Sequence, residues 1–230
     1  MRALQERVYY GWIIVGVVTL AGFTQVGTFN PILAVFVKPF HEVFGWSRAE
    51  VSLGITLGSI GGGLVGPFLG PLIDRRGARA VLLMIQAIYG TCLLSLTFLN
   101  GSLFYYVAAF SVGRVAAQAG ANLANQVAIA NWFVRYRGRA MGITNLGNRI
   151  GQALLPGVAA LLIETVGWRF AWLFLGAQVW ILAMLPCFLF MRRRPEDLGL
   201  LPDGARPDPA IGVAGAARPK GPLRPVEAVS

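Results

Sequence analysis

Long apolar stretches alternate with short polar segments along the chain. Four stretches contain no charged residue, namely 8–37, 51–73, 80–113 and 170–191. A fifth, residues 140–163, contains a single charge, Arg149. About 20 predominantly apolar residues cross a bilayer as a helix, and the sequence Asn100-Gly101-Ser102 indicates a turn within the third stretch. The pattern therefore predicts six transmembrane helices, with expected limits of 10–36, 50–73, 79–99, 103–130, 140–163 and 168–191.

The composition favours an all-α integral membrane protein. Hydrophobic residues make up 56% of the chain and charged residues 13%, whereas about a quarter of the residues of a soluble domain are charged. The single histidine, His41, and two cysteines inside apolar stretches predict neither a metal site nor a cofactor. Because the sequence has no His-Glu-x-x-His motif and no acid pair facing a cavity, we predict that the protein is not an enzyme.

Basic residues lie mainly on one side of the predicted helices. With the N-terminus in the cytoplasm, the cytoplasmic segments that flank the helices carry eleven Lys and Arg residues and the external loops carry three. This asymmetry predicts cytoplasmic termini in a bacterial-type inner or plasma membrane. It also explains the net charge of +10 without a nucleic-acid partner.

Three regions follow from this topology: a cytoplasmic N-terminus over residues 1–9, a helical bundle over 10–201 and a tail over 202–230. The tail is rich in Pro, Ala and Gly and has no aromatic residue, so we predict that it is a disordered cytoplasmic segment. Aromatic residues near the helix ends are expected to anchor the bundle at the membrane interfaces. They are Tyr9, Tyr10, Trp12, Trp132 and Tyr136 on the inside and Trp46, Tyr105, Tyr106 and Trp168 on the outside.

Glycine recurs every four residues along the second predicted helix, at Gly54, Gly58, Gly62, Gly66 and Gly70. Residues four apart share one helix face, so this ridge carries no side chains. Such a ridge lets two helices approach closely in lipid. The sequence leaves two interpretations open, which are plain tight packing and a surface along which another helix slides during a conformational change.

Polar residues form a narrow stripe on each of the fourth and fifth predicted helices. Ideal helical geometry places each stripe within an arc of about 80–100°. The fourth helix carries Ser111, Arg114, Gln118, Asn122 and Asn125, and the fifth carries Asn145, Asn148, Arg149, Gln152 and Pro156. Each stripe thus places an arginine near mid-membrane, where no acidic residue of the chain is expected to lie.

An uncompensated cation in the bilayer needs a counter-charge or water. We predict that Arg114 and Arg149 bind the carboxylate of a small organic anion, supported by Gln118, Asn122, Asn145 and Gln152. Alternatively, backbone carbonyls, amides and water satisfy both arginines, or another polypeptide supplies an acid. In the first helix, Thr24, Gln25, Thr28 and Asn30 precede a predicted kink at Pro31 and are candidates for a further cavity wall.

Two loop segments resemble motifs of the major facilitator superfamily. Gly70, Leu72, Asp74, Arg75, Gly77 and Arg79 match its G-x-L-x-D-R-x-G-R-R motif between helices 2 and 3, and Ala78 departs from it. The segments 131–142, 10–12, 44–48 and 194–199 are similar to other parts of the superfamily, the last three to monocarboxylate porters and oxalate/formate exchangers.

The resemblance implies a secondary transporter that works by alternating access and moves an organic anion such as a monocarboxylate. It implies 3+3 inverted repeats, six helices making one half of a 12-helix fold. It also implies a cytoplasmic gating role for Gly70, Asp74, Arg75, Gly77 and Arg79. The expected partners are the lipid bilayer, the anion and a second six-helix half, from a separate chain or a second copy. A truncated or non-transporting protein that pairs with a separate half is the alternative.

Overall fold

The computed structural model describes residues 9–28, 30–192, 195 and 203, and every element in this part of the chain is helical. The predicted N-terminus and tail lie outside the described residues, apart from Tyr9 and Asp203. The eight α-helices are α1 (Tyr10–Thr24), α2 (Asn30–Phe44), α3 (Arg48–Ser95), α4 (Leu103–Val115), α5 (Asn122–Trp132), α6 (Arg137–Thr165), α7 (Trp168–Gln178) and α8 (Leu185–Phe190). The 3₁₀ turns are Gln25–Thr28 and Leu96–Phe98, and the π-turns are Ala116–Ala121 and Val179–Met184.

Four helical stretches in the described residues are long and apolar enough to cross a membrane. They are Tyr10–Phe44, Arg48–Phe98, Arg137–Thr165 and Trp168–Phe190. The stretch formed by α4, its π-turn and α5 is not among them, because its polar stripe lowers its mean hydropathy. An all-helical membrane fold, as the sequence predicted, follows from these lengths and compositions.

The first helical stretch is longer than predicted. We expected it to end near residue 36, but α2 continues to Phe44. Phe40 is fully buried, and Lys38 and Glu42 form an exposed ion pair at 4.0 Å one helical turn apart. The helical hydrogen-bond pattern changes at the 3₁₀ turn Gln25–Thr28, which ends three residues before Pro31. Pro31 itself lies in the first turn of α2, where a missing N–H is tolerated.

A single glycine replaces the loop that the sequence predicts between the second and third helices. α3 begins at a capping box, in which Ser47 Oγ accepts from the N–H of Glu50 at 3.3 Å and the Glu50 carboxylate accepts from the N–H of Ser47 at 2.7 Å. The helix then runs to a sharp bend at Gly77, whose φ of 80° and ψ of 152° are open almost only to glycine. The bend divides α3 into two arms, residues 48–76 and 78–95.

Several aromatic residues predicted at the membrane interfaces form a core cluster instead. Trp46, Tyr106 and Trp168 are 7%, 0% and 8% exposed, so the prediction that these three anchor the bundle at the interface is wrong. Their rings surround Phe40 at centroid distances of 5.4–5.6 Å. Trp132, predicted on the opposite side, is also fully buried, whereas Trp12, Tyr105 and Tyr136 are 37%, 39% and 37% exposed. Short loops bring several helix ends together, and the large rings fill the space between them.

The glycine ridge of α3 has a packed part and an open part. A Cβ atom at Gly54 would lie 2.8 Å from Phe110, and one at Gly58 would lie 2.8 Å from the Cβ of Arg114. A Cβ at Gly66 or Gly70 would meet nothing within 4 Å. The first part therefore explains the close packing of α3 against α4, whereas the second faces open space.

A close contact between α1 and α6 sets the position of the candidate site. A Cβ atom at Gly151 would lie 2.5 Å from the carbonyl oxygen of Phe23, and one at Gly147 would overlap the carbonyl oxygen of Thr19. Glycine is therefore required at both positions for the two backbones to approach. Beside this contact, the polar face of α6 opens toward α5.

Candidate functional site

A cavity of about 640 Å³ lies between α1, α5 and α6. Its walls are largely polar, and most of the polar groups are carboxamides. The lining carboxamides are Gln25, Asn122, Asn125, Gln126, Asn145, Asn148 and Gln152. Val18, Gly22, Ile129, Met141, Thr144 and Arg149 complete the lining. The cavity volume is within the range typical of small-molecule sites.

Arg149 is the only charged residue among the described residues that line the cavity. Across the described ranges it takes part in no hydrogen bond or ion pair, and the one ion pair there, Lys38–Glu42, lies elsewhere. The guanidinium therefore brings five donors and a full positive charge to the cavity without an acid to neutralise it.

Two carboxamides of α6 are held in place by their neighbours. Asn148 Nδ2 donates to the carbonyl oxygen of Gly22 at 3.3 Å, across the α1–α6 contact. Gln152 Nε2 donates to Asn148 Oδ1 at 2.5 Å. This chain of hydrogen bonds links α1 to one wall of the cavity and fixes the orientation of both amides.

Arg114 does not line the cavity. It is 9% exposed and lies between α3 and the break in the first helical stretch. Its Nε donates to Ser59 Oγ at 3.0 Å, and its Nη1 donates to the carbonyl oxygen of Thr28. Tyr89 donates to the carbonyl of Thr24 at 3.2 Å, so side chains of α3 and α4 satisfy carbonyl groups of the broken segment.

The π-turn Ala116–Ala121 separates Arg114 from the polar residues of α5. A π-turn contains one extra residue, which rotates the following side chains by about 100° relative to an ideal α-helix. The stripe on the fourth predicted helix is therefore less well aligned than ideal α-helical geometry predicts. Gln118 lies within the π-turn and is exposed outside the cavity lining.

The structure brings together four of the six predicted substrate residues, which are Asn122, Asn145, Arg149 and Gln152. Gln25, one of the polar residues of the first helix that were candidates for a further cavity wall, also lines the cavity. Asn125 of the fourth-helix stripe and Asn148 of the fifth-helix stripe line it as well. Gln126, which ideal helical counting places about 40° outside the fourth stripe, also lines the cavity and was not predicted. The described residues contain no group of three side chains able to hold a metal ion.

The predicted gating segment lies at the bend of α3. Asp74 and Arg75 are exposed, and within the described part of the chain Asp74 forms no ion pair. Arg79 Nη2 donates to the carbonyl oxygen of Phe188 at 2.8 Å, near the end of α8. Cations are favoured at helix C-termini, so this contact ties the second arm of α3 to α8.

A sequence model of the Major Facilitator Superfamily matches residues 11–225. The chain belongs to this superfamily. Both the loop motifs and the polar helices described above lie within the matched range. The superfamily is a family of non-enzymatic carriers, in agreement with the prediction that the chain is not an enzyme.

Several curated relatives are transporters. The chain is 26% identical to the probable L-galactonate transporter of Escherichia coli K12 over 167 residues, 72% of this chain and 36% of that protein. It is 31% identical to the probable sulfoacetate transporter SauU of Cupriavidus necator over 53% of this chain and 28% of that protein. It is 26% identical to human monocarboxylate transporter 1 over 73% of this chain and 33% of that protein. The matches thus span about a third of each relative.

Solved structures support the fold. The proton:xylose symporter XylE bound to 6-bromo-6-deoxy-D-glucose matches with a TM-score of 0.68 and 17% identity, covering 82% of this chain and 46% of that one. The inward-open structure of the xylose transporter XylE from E. coli matches with a TM-score of 0.66 and 18% identity, and the match covers 81% of this chain and 49% of that one. These likenesses show the superfamily fold in this chain.

Proposed function

We propose that this chain forms one half of a secondary active transporter that moves a small organic anion, such as a monocarboxylate, by alternating access. The observation that carries the proposal is Arg149, a cation that lines a carboxamide-rich cavity and has no acidic partner in the described part of the chain. A carboxylate supplies the missing negative charge. Human monocarboxylate transporter 1 and the probable L-galactonate transporter, both related to this chain, have names that include carboxylate substrates.

The chemistry of arginine favours this interpretation. A planar guanidinium donates two parallel hydrogen bonds to one carboxylate, which a single amide does not. A cation near the bilayer centre costs about 2.5–3.5 kcal/mol on the insertion scale. Binding an anion offsets part of that cost, and release of the anion restores it, so that binding is reversible. Arg114 donates to Ser59 and to the carbonyl of Thr28, so we assign it a role in stabilising the fold rather than in binding the anion.

The finer architecture of the proposal has six spans in two groups of three. The first group comprises 10–44 and the two arms of α3, and the second comprises α4–α5, α6 and α7–α8. The Gly77 bend and the short connections between the other helices support this division. The basic asymmetry supports cytoplasmic termini.

We also propose that the α3 bend is the cytoplasmic gate. Gly77 forms the bend, Arg79 holds α8, and the exposed Asp74 and Arg75 are free to exchange ion pairs with a second half. Gly70 lies on the open part of the glycine ridge and leaves room for a helix of that second half. Charge networks of this kind can form and break at modest cost near an aqueous surface.

Uptake of radiolabelled lactate tests the anion function. The full chain is reconstituted in proteoliposomes, alone and together with a candidate second half. Arg149→Gln is expected to weaken apparent lactate affinity at least tenfold, since a hydrogen bond to a charged group contributes about 1.5–3 kcal/mol. Arg149→Lys is expected to recover only part of the affinity, because the charge remains and the planar fork is lost.

Arg137→Gln is the matched control. It removes the same charge from an exposed position at the start of the same helix, outside the cavity. Equal lactate affinity in the wild type and Arg149→Gln would contradict the proposal. An equal loss of lactate affinity in Arg149→Gln and Arg137→Gln would show that the effect comes from general surface charge rather than from the cavity.

Cysteine accessibility tests the orientation. Cys92 and Cys187 are first replaced by serine, and single cysteines are then introduced at His41, Asn100 or Arg76. In sealed right-side-out vesicles, an impermeant maleimide is expected to label the first two positions and to leave the third unlabelled. External labelling at Arg76 would reverse the proposed topology.

A non-transporting protein that pairs with a separate half is the second candidate. The open part of the glycine ridge and the exposed Asp74 and Arg75 offer a surface for such a partner. In this case the chain binds a second half stably, yet the assembly shows no uptake of lactate or any other carboxylate above that of empty liposomes. Uptake that depends on both halves contradicts it.

A further inference from the structure

Two carboxamides of the cavity are deeply buried and incompletely satisfied. Gln25 is 1% exposed and Asn125 is 9% exposed, and both line the cavity. Gln25 Nε2 and Asn125 Oδ1 have no hydrogen-bond partner among the described residues. A buried polar atom without a partner costs free energy, so a ligand or ordered water is expected to complete both.

The two unsatisfied atoms have opposite hydrogen-bonding character. Gln25 Nε2 is a donor and Asn125 Oδ1 is an acceptor. An ionised carboxylate has only acceptor oxygens, so it can satisfy the donors of Arg149 and Gln25 but has no proton for Asn125. A hydroxyl group is both donor and acceptor. A ligand that carries a carboxylate and hydroxyl groups therefore matches the whole cavity.

The rest of the lining agrees with this requirement. One cation stands among seven carboxamides. A simple alkyl carboxylate would place its hydrocarbon chain against these amides and remove water from them without returning hydrogen bonds. The cost falls when each carbon of the ligand carries a hydroxyl group that replaces the displaced water.

We propose that the substrate is a hydroxylated carboxylate of the aldonic-acid type, with its carboxylate on Arg149 and hydroxyl groups on Asn125 and Gln25. The proposal rests on the proposed function, since it takes the anion on Arg149 as its starting point. It narrows the substrate class from monocarboxylates in general to those that bring hydrogen-bond donors.

Binding of two six-carbon acids tests the proposal. Equilibrium binding of radiolabelled gluconate and hexanoate is measured on the full chain in lipid nanodiscs. Both acids carry one carboxylate on six carbons, and they differ in their hydroxyl groups. Gluconate is expected to bind at least tenfold more tightly than hexanoate. Asn125→Leu and Gln25→Met, which remove the amides at similar size, are expected to reduce this ratio to about twofold.

Two further variants make the result specific. Arg149→Gln is expected to weaken the binding of gluconate and hexanoate by the same factor, so that the ratio of their affinities is preserved. Ile88→Ala, an exposed position on α3 outside the cavity, is expected to change neither affinity. Having two amide variants on different helices keeps the test valid if one of them fails to fold in a melting assay.

The outcomes separate this proposal from the proposed function. Equal binding of the two acids, both weakened by Arg149→Gln, overturns the hydroxyl requirement and leaves the anion function intact. An unchanged ratio in both amide variants likewise overturns the roles of Gln25 and Asn125. Binding of neither acid to the wild type overturns both proposals.

Discussion

Arg114 on α4 donates a hydrogen bond to the backbone carbonyl oxygen of Thr28, at the 3₁₀ turn that interrupts the first helical stretch. In lipid, each backbone carbonyl needs a partner within the protein, and an interruption of the helix leaves such groups exposed. Arg114, the arginine of the fourth predicted helix, therefore stabilises the turn before Pro31 in the first helical stretch. Together with the hydrogen bond from Arg114 Nε to Ser59 Oγ, this contact helps to satisfy a guanidinium whose residue is only 9% exposed.

Arg114→Leu is expected to destabilise the bundle by about 1–3 kcal/mol, because the Thr28 carbonyl loses its charged donor. The measurement is detergent or thermal unfolding followed by tryptophan fluorescence. Among the two arginine→glutamine variants, Arg114→Gln is expected to lower the melting temperature more and Arg149→Gln to lower anion affinity more. If Arg114→Gln lowered anion affinity more than Arg149→Gln did, Arg114 would instead be a substrate-binding residue.

Gly58→Ala and Gly63→Ala are expected to have opposite effects on stability. A Cβ at Gly58 would lie 2.8 Å from the Cβ of Arg114, whereas one at Gly63 meets nothing within 4 Å. Overpacking costs about 1–3 kcal/mol, and alanine is about 1 kcal/mol better than glycine in a helix. Melting temperature is the measurement, and equal shifts in the two variants would show that the ridge does not set the α3–α4 distance.

Gly62, which the sequence places in the same ridge, is expected to be more tolerant than Gly58. A Cβ at Gly62 would meet the Cβ of Ala119 at 3.8 Å, an ordinary contact. Gly62→Ala is therefore expected to change stability by less than about 1 kcal/mol. A loss as large as that of Gly58→Ala would require a tighter helix contact than the structure shows.

Gly77→Ala is expected to destabilise the α3 bend by about 1–3 kcal/mol, because φ of 80° with ψ of 152° is strained for any residue with a Cβ. Gly70→Ala on the first arm has an unstrained helical backbone and open space, and serves as the control for stability. Unfolding in detergent compares the two. Equal stability of both variants would mean that the bend accepts another backbone conformation.

Asp203 is expected to make the stability of the segment between α5 and α6 dependent on pH. Its carboxylate accepts from the N–H groups of Val134, Arg135 and Tyr136 at 3.0, 2.6 and 3.3 Å. Partial burial raises the pKa of Asp203, but these backbone hydrogen bonds outweigh it and hold the pKa below its usual value. The contribution is therefore present above the usual aspartate pKa and is lost as the pH falls through the lowered one.

Asp203→Asn is expected to remove this dependence and to cost about 1 kcal/mol at neutral pH, similar to the loss of a helix cap. Amide hydrogen exchange at residues 134–136, measured at neutral and acidic pH, reports the contact directly. Asp208→Asn, the same change at a nearby position in sequence, is the control. Exchange at residues 134–136 that is the same in Asp203→Asn as in the wild type at both pH values would contradict the assignment.

Much of the site could be predicted from sequence because polar residues are rare inside apolar stretches. Asn122, Asn145, Arg149 and Gln152 were identified from their helical spacing, and the structure places all four on one cavity. Arg114 and Gln118 satisfied the same spacing but lie elsewhere, since the π-turn Ala116–Ala121 changes the register of the helix. A π-turn depends on how neighbouring helices pack, and the residue pattern of one helix does not reveal it.

The sequence by itself determined that the chain is an all-helical membrane protein, since apolar stretches of spanning length have no other stable form in lipid. It also determined which polar groups enter the membrane. The tertiary structure decided which of two arginines faces the cavity, which part of the glycine ridge is packed, and that the outer aromatic rings lie in the core. These properties depend on contacts between helices distant in sequence, where a rotation of about 100° per residue changes the face that a side chain occupies.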